Sequence, residues 1–168
     1  GNNKGLIELS IYGSDAIEEI DASNMPLLLN LNVYSNKALR TVNITNSQKL
    51  KVINALYDGS LTNIISLEDK SELERFWAAH SKIESYDFTN MPKLQNINLA
   101  SAAVKELKGL SAAGANLKNL QLSNTKLTSL DVSNNTGLTE IDVYGVKGLT
   151  TLDVTNCVEL IKLRTSLA

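Results

Sequence analysis

Three sets of residues in this chain could do chemistry. A cysteine nucleophile needs a base within hydrogen-bond reach, and the 168 residues include one cysteine, Cys157, and one histidine, His80. Two carboxylates at equivalent positions of a repeated segment, Asp131 and Asp153, could act as a glycosidase pair or bind calcium. Trp77 could supply the flat apolar contact that dominates many binding surfaces. The elements that position these residues decide among these chemistries.

Leucine and asparagine dominate the composition, with 27 Leu and 19 Asn, which indicates a repeat protein with an aliphatic core and frequent turns. Lys and Arg total 16 against 18 Asp and Glu, and they are scattered singly, so no nucleic-acid partner is expected. The single cysteine excludes an intrachain disulfide and a cysteine zinc cluster, and we expect no metal and no cofactor. The longest apolar run is residues 25–29, far below the roughly 20 residues that span a bilayer, so no membrane insertion is expected.

A fixed period organises the whole chain. The segments LTSLDVSNNTG, LTEIDVYGVKG and LTTLDVTNCVE begin at residues 127, 138 and 149 and share apolar residues at offsets 0, 3 and 5. The same template extends back to Leu6 with spacings of 10 to 13 residues. Alternate segments differ in kind, so the true unit is a coil of 21 to 23 residues. Each coil has a variable half, starting at 6, 28, 50, 73, 94, 117, 138 or 160, and an Asp-Val half, starting at 17, 39, 61, 83, 104, 127 or 149.

Apolar residues at offsets 3 and 5, with offsets 2, 4 and 6 facing outward, are typical of short strands. Strands stacked at roughly 4.8 Å per coil form a parallel sheet over a continuous aliphatic column. This stacking places His80 and Cys157 three coils apart, on the order of 14 Å, which is too far for a base and its nucleophile. It places Asp131 and Asp153 about 5 Å apart. Asp21 and Asp87 share their offset, so a solvated column on an outer face is the preferred interpretation.

The pattern LxxLxLxxN followed by LxxLDVSxN resembles the leucine-rich repeat family over residues 6 to 166. It is most similar to the irregular type with two similar halves, common in secreted and surface proteins of gut Bacteroidetes. The resemblance implies an α/β, right-handed solenoid of about seven coils, with a parallel sheet on the concave side and irregular, short helical or strand segments on the convex side. It also implies a non-catalytic bacterial domain, secreted or on the cell surface. We interpret residues 1–5 as a leader or tag remnant and 6–168 as a single domain of a longer protein.

Two segments, residues 61–72 and 104–116, keep the spacing but lose the Asp-Val signature, and they predict short helices. Ser66 would cap the first, and residues 102–110 would form the second. Because these helices replace Asp-Val halves, we place those halves on the convex side and the variable halves in the concave sheet. At the turns, we expect inward amides that bridge neighbouring coils. The turn asparagines are Asn24, Asn46, Asn90, Asn134 and Asn156.

The outward positions of the variable halves form the predicted binding surface. Its centre is uncharged except for Arg75, whereas a solvated sheet more often carries Lys and Glu. Trp77 would lie between Asn54 and Asn98 of the neighbouring coils. Two alternatives stay open: the asparagines only stabilise the stack, or Trp77 is buried under residues 66–74. The predicted ligand-binding residues are Tyr12, Asn30, Asn32, Tyr34, Asn54, Arg75, Trp77, Asn96 and Asn98.

Three functions follow, in order of preference. The first is binding of a protein or glycan through the concave face. The second is a structural spacer without a ligand, roughly 34 Å long over seven coil spacings. A hydrolase ranks third. The apolar pattern continues through Leu160, Leu163 and Leu167 without a polar cap, which predicts end-to-end self-association at the C-terminal coil.

Overall fold

The computed structural model describes residues 3–166, apart from the side chain of Asp69, as a stack of short parallel strands. Each half-unit contributes one strand of three or four residues at offsets 2 to 4, because the turns that follow stop each strand from growing. Strand partners are one coil apart, so residues of equal offset lie side by side. Leu31, for example, pairs with Leu9 on one side and Ile53 on the other. The predicted parallel solenoid of about seven coils is confirmed.

The variable halves form one continuous sheet, here called the long sheet, with eight strands among the described residues. Its strands follow one another in space in the order of the coils, and their registers are parallel throughout. The prediction that the variable halves share one face is therefore confirmed. The strands are β1 (Glu8–Ser10), β3 (Asn30–Asn32), β5 (Val52–Asn54), β7 (Arg75–Trp77), β9 (Asn96–Asn98), β11 (Asn119–Gln121), β13 (Glu140–Val143) and β15 (Lys162–Thr165).

The Asp-Val halves form three smaller sheets on the other face, within residues 3–166. The breaks between them follow the two irregular segments. A 3-10 turn at Leu67–Asp69 follows the first sheet, and a 3-10 segment at Leu110–Asn116 follows the second. The strands are β2 (Glu19–Asp21), β4 (Thr41–Asn43) and β6 (Asn63–Ile65); β8 (Ser85–Asp87) and β10 (Glu106–Lys108); and β12 (Ser129–Asp131) and β14 (Thr151–Asp153).

The helix predicted over residues 102–110 is wrong. Glu106–Lys108 is strand β10, and its central Leu107 pairs with Tyr86 of β8. Stacking on the preceding coil therefore overrides the local helical preference of the Ala, Lys, Glu and Leu residues. The predicted cap is also wrong: Ser66 has a left-handed backbone (φ 63°) and makes no side-chain cap hydrogen bond to the 3-10 turn.

The core is a set of aliphatic columns that run the length of the stack. Leucines at offset 0 and the apolar residues at offsets 3 and 5 are buried in nearly every inner coil. In the centre, where the repeat is least regular, aromatic rings replace aliphatic residues. Phe76 packs edge-on against Tyr86 and Phe88 with ring centroids 5.2 and 5.8 Å away. The Tyr86 hydroxyl lies 3.1 Å from Ser81 Oγ, and burial raises the pKa of Tyr86 well above its usual value.

Each coil turns through a residue with positive φ, most often at offset 7. Asn24, Asn46, Asn134 and Asn156 all have φ between 55° and 66°, whereas Asn90 is not among the left-handed residues. All five asparagines are exposed, so the predicted inward direction of these amides is wrong. Because the residue at offset 7 has a left-handed backbone, its side chain lies in solvent, and the side chain at offset 8 is the one that lies inside. Neighbouring amides still touch, since Asn46 donates to Asn24 and Asn156 to Asn134, both at 2.9 Å.

The inward turn position is offset 8, and it carries a buried polar ladder. Asn36 Oδ1 accepts the Ser14 N–H at 3.0 Å, and Asp58 Oδ1 accepts the Asn36 N–H at 2.6 Å. Asn36 Nδ2 donates to the carbonyls of Ile11 and Val33 at 3.0 and 2.5 Å. Asp58 is fully buried, and its Oδ2 has no hydrogen-bond partner among the described residues. Burial raises the pKa of Asp58 to about 7, although the Asn36 N–H opposes the shift.

Candidate ligand-binding surface

Trp77 lies on the outer face of the long sheet. In β7, Phe76 points into the core and is fully buried, whereas Arg75 is exposed and Trp77 is half-buried. This is the alternation that the offset pattern predicts. Trp77 lines an open groove and keeps part of its surface exposed, so it is not fully buried in a closed local core.

The neighbours of Trp77 are those that the coil register predicts. Asn54 of β5 and Asn98 of β9 are its strand partners on the two sides. Asn54 Oδ1 accepts the N–H of Leu56 at 3.3 Å, and Asn98 Oδ1 accepts the N–H of Ala100 at 3.1 Å. Within residues 3–166, the Nδ2 groups of both asparagines have no protein partner. Their amides therefore combine an anchored oxygen with a free donor.

A groove of about 410 Å³ runs from Trp77 toward the C-terminal coils. Asn96 lies in it and is the strand partner of Arg75 in β7 and of Asn119 in β11. Gln121 Nε2 donates to Asn119 Oδ1 at 2.9 Å, which ties the far wall together. We call this groove the amide groove; it is lined by Leu56, Trp77, Asn96, Ile97, Asn98, Asn119 and Gln121.

The structure separates the predicted site residues into two groups. Asn54, Arg75, Trp77, Asn96 and Asn98 lie in or beside the amide groove. Asn30, Asn32, Tyr12 and Tyr34 lie two or three strands away on β1, β3 and the turns that follow them. Leu56, Asn119 and Gln121 line the groove but were not among the predicted site residues. Their shared offsets could have revealed them, because offsets 2, 4 and 6 of neighbouring coils form one surface.

The group near the N-terminus consists of a stacked tyrosine pair and an asparagine whose amide is already hydrogen-bonded within the protein. The rings of Tyr12 and Tyr34 are parallel with centroids 4.9 Å apart, and Tyr12 is 60% exposed. Asn32 Nδ2 donates to Ser10 Oγ at 3.3 Å and to Glu8 Oε1 at 3.4 Å. Asn32 is thus occupied by protein partners, so the tyrosine pair is the more available contact at this end.

A second aromatic pair lies along the same edge of the long sheet. Tyr57 and His80, both in left-handed turns, stack with centroids 5.0 Å apart. Tyr57 is 61% exposed. Apart from their shared offset 7, nothing in the pattern of residues predicts this pair, because bulky residues are uncommon in left-handed turns.

The candidate catalytic residues are used for turns instead. Asp131 and Asp153 are strand partners on β12 and β14, as predicted, and both are exposed. The Oδ1 of each accepts the N–H two residues further on, at 2.8 Å, to Ser133 and Thr155 respectively. Hydrogen bonds from Thr155 hold the pKa of Asp153 below its usual value, which is opposite to what a general acid needs.

Cys157 is also structural. Its Sγ donates to the Val132 carbonyl at 3.2 Å, and burial raises the pKa of the thiol, which disfavours the reactive thiolate. Among the described residues, no group of three or more His, Cys, Asp or Glu side chains is arranged to hold a metal ion. In the same part of the chain, no helix has the length and apolar character to cross a membrane.

The C-terminal coil exposes apolar side chains. Ile161 is 83% exposed and Leu163 is 44% exposed, whereas Leu160 is half-buried. Leu167, the third residue of that predicted self-association surface, lies outside the described residues. End-to-end association stays a prediction.

Comparison with known proteins supports the fold. No protein-family model and no curated protein matches the chain. One solved structure that it resembles is described as the functional domain of InlJ from Listeria monocytogenes, which includes a cysteine ladder. The match has a TM-score of 0.67 and 18% sequence identity, and it covers 98% of this chain. The chain spans 44% of the length of that structure.

Proposed function

We propose that this chain is a non-catalytic interaction domain of a secreted or surface-attached bacterial protein, and that it binds a protein or glycan through the outer face of the long sheet. The observation that carries the proposal is the partly exposed Trp77 in an open groove, between two asparagines with free amide donors. A flat apolar ring with directional donors on both sides is suited to specific recognition. The secreted or surface location, and a Bacteroidetes source, rest on the sequence resemblance alone.

The main rival is a structural spacer. A spacer needs the aliphatic columns and the turn hydrogen bonds but has no use for a partly exposed tryptophan on the outer face of the sheet. Large apolar side chains that are left accessible among polar groups favour binding. A hydrolase is disfavoured because the paired aspartates are engaged in turns and Asp153 has a lowered pKa.

The test is an array experiment with three forms of the chain. The wild type, Trp77→Ala and Tyr144→Ala are compared on panels of bacterial and host proteins and glycans. Tyr144 is the matched control, since it is an exposed aromatic residue that follows β13, three strands away on the same sheet. We expect ligands that Trp77→Ala loses and Tyr144→Ala retains.

Stability must be measured alongside binding. Trp77 is half-buried on the outer face of the long sheet, so Trp77→Ala should cost about 1 kcal/mol and lower the melting temperature by about 2 to 4 °C while the chain stays folded. If no ligand depends on Trp77 while both variants remain folded, the spacer interpretation replaces this proposal.

A further inference from the structure

Arg75 carries the one formal charge at offsets 2, 4 and 6 of the five variable halves that contain β3, β5, β7, β9 and β11. It is exposed, and among the described residues it forms no ion pair or hydrogen bond. The other two arginines differ: Arg164 lies 3.3 Å from Asp142, and Arg40 lies 3.9 Å from Glu18. A guanidinium left unpaired beside a groove is free to bind an anion.

The acidic residue next to Arg75 in the chain is already engaged. Glu74 Oε1 accepts a hydrogen bond from Lys51 at 3.0 Å, which neutralises that carboxylate. The amide groove itself contains no acidic side chain. The electrostatic balance at this place is therefore one uncompensated positive charge beside neutral amides, which is complementary to a ligand with a single negative charge.

The geometry sets the size of that ligand. Arg75 and Trp77 are two residues apart on one strand, so their side chains leave the sheet roughly 7 Å from each other. Asn96 and Asn98 face them from β9, and Asn54 faces Trp77 from β5. Neighbouring strands are about 4.8 Å apart, so one small ring placed on Trp77 would reach the guanidinium and both flanking amides.

The free polar groups around Trp77 are mostly donors. Asn54 and Asn98 each use one acceptor site of the amide oxygen in the turn and keep the whole Nδ2 group free, and Arg75 has only donors. Asn96 makes no side-chain hydrogen bond within residues 3–166. A site of this kind favours a ligand rich in oxygen acceptors, with one flat apolar face for the indole.

An extended peptide would be held poorly here. β7 is paired on both sides, with β5 and β9, so its backbone groups are used in the sheet and no strand can be added. Recognition must come from side chains alone. A sugar ring meets this condition, because it presents hydroxyl and ring oxygens around its rim and C–H groups on its face.

We propose that the amide groove binds an acidic sugar residue of an oligosaccharide, with its carboxylate on Arg75, its ring on Trp77 and its hydroxyl oxygens on Asn54 and Asn98. This inference rests on the proposed binding function and narrows it to one ligand class. It also accounts for the position of Arg75 beside the groove, which a neutral ligand would not require.

The experiment uses isothermal titration calorimetry with three acidic probes: oligogalacturonate, an alginate oligomer and a sialylated oligosaccharide. Each is paired with its methyl ester, which keeps the sugar ring but removes the charge. We expect at least one probe to bind as the free acid about 10- to 100-fold more tightly than as the ester, the range for a hydrogen bond to a charged group. The probe that does so identifies the source of the acidic sugar.

Variants assign the contacts. Arg75→Gln should lower affinity for the acid to that of the ester while leaving ester binding nearly unchanged. Trp77→Ala should abolish both. Arg40→Gln is the matched control, because Arg40 is exposed and precedes β4 on the other face, and it should leave both affinities unchanged.

The outcomes separate this inference from the broader one. If acid and ester bind equally and Arg75→Gln changes neither, the acidic-sugar assignment is overturned but the binding function stands. The same holds if none of the acidic sugars binds and a protein from the array panels binds in a Trp77-dependent way. If neither these probes nor the protein and glycan panels contain any Trp77-dependent ligand, both proposals fail.

Discussion

At the scale of single residues, the turn asparagines act through their backbone more than through their amides. Four of the five have positive φ, a conformation that Asn and Gly adopt at little cost and most other residues do not. Their amides are exposed and contact at most the equivalent residue of the neighbouring coil or an adjacent serine. The repeated asparagine is thus explained mainly by the sign of one dihedral angle.

This explanation predicts different effects of two small substitutions at one position. Asn134→Ala should destabilise the fold by about 1 kcal/mol, because alanine disfavours the left-handed conformation. Asn134→Gly should cost only a few tenths, although it also removes the hydrogen bond from Asn156. Asn90→Ala is the control, since Asn90 is exposed and not left-handed, and should be near neutral. Urea unfolding measures all three; equal losses for Ala and Gly at 134 would assign the role to the amide.

Asp58 predicts an unusual dependence of stability on pH. Its folded pKa is about 7, against 3.8 for an ordinary aspartate, so the folded state binds the proton more tightly than the unfolded chain does. Its contribution is therefore fully present below about pH 4 and is lost as pH rises to about 7. The neutral carboxyl has the shape of the Asn36 amide, which occupies the equivalent position of the preceding coil and donates from Nδ2 to two carbonyls.

The measurement compares Asp58→Asn with the wild type from pH 4.5 to 8. The variant should gain relative stability as pH rises, by roughly 2 to 4 kcal/mol at pH 8, since each pKa unit corresponds to about 1.4 kcal/mol. Asp87→Asn is a contrasting control, because hydrogen bonds from Thr89 lower the pKa of Asp87 and its contribution is lost only in acid. A constant difference between Asp58→Asn and wild type across this pH range would refute the shifted pKa.

At the scale of the strand, inward and outward residues should differ in what they contribute. Leu130 of β12 is buried, so Leu130→Ala should cost about 2 to 5 kcal/mol of unfolding free energy. Asp131 is exposed but accepts the Ser133 N–H at 2.8 Å, so Asp131→Ala should cost about 0.5 to 1.5 kcal/mol. Ser129→Ala, at the other exposed end of the strand, should be near neutral. Comparable losses from Leu130 and Asp131 would contradict the register.

The strands were predictable from sequence because the period repeats the same environment many times. Each apolar offset is supported by its equivalents in neighbouring coils, so the register of β1 to β15 follows from Leu6 onward. Local helix propensity failed at residues 102–110, because stacking on β8 outweighs it. The prediction that the asparagines at offset 7 point inward was wrong, because a hydropathy pattern does not indicate which residues adopt a positive φ.

The candidate site was predictable in position but not in extent. Alternation places Arg75, Trp77, Asn54 and Asn98 on one surface, and the structure does the same. The groove, however, depends on the sizes of the side chains in neighbouring coils. Small residues after β7 and β9, Ala79 and Ala100, lie beside larger ones, and a linear pattern does not show which gaps remain between them.

At the scale of the whole molecule, the two faces differ in continuity. The long sheet pairs every coil with the next, whereas the other face is interrupted twice. At the first interruption, a cavity of about 130 Å³ lies between β6 and β8, lined by Ile64, Leu67 and Tyr86 among others. Cooperativity across the stack therefore depends on the long sheet.

We predict a single unfolding transition despite those interruptions. β5, β7 and β9 are in unbroken register past the first gap, and nearest-neighbour coupling propagates along such a stack. Trp77 is the single tryptophan and lies in the central coil, so its fluorescence reports that region alone. Its urea midpoint should coincide with that from far-UV circular dichroism. Two separate midpoints would show that the first interruption divides the stack into independent units.

The long sheet also determines how the stack responds to mechanical tension. Its hydrogen bonds run from coil to coil, along the line that joins the two ends of the stack. A pull along that line loads the coils in series, so they detach one after another instead of shearing together. Each detached coil of about 22 residues frees roughly 75 Å of extended chain, in place of about 5 Å of stack height. Under load, the stack would therefore lengthen many-fold in discrete steps, as an extensible tether does.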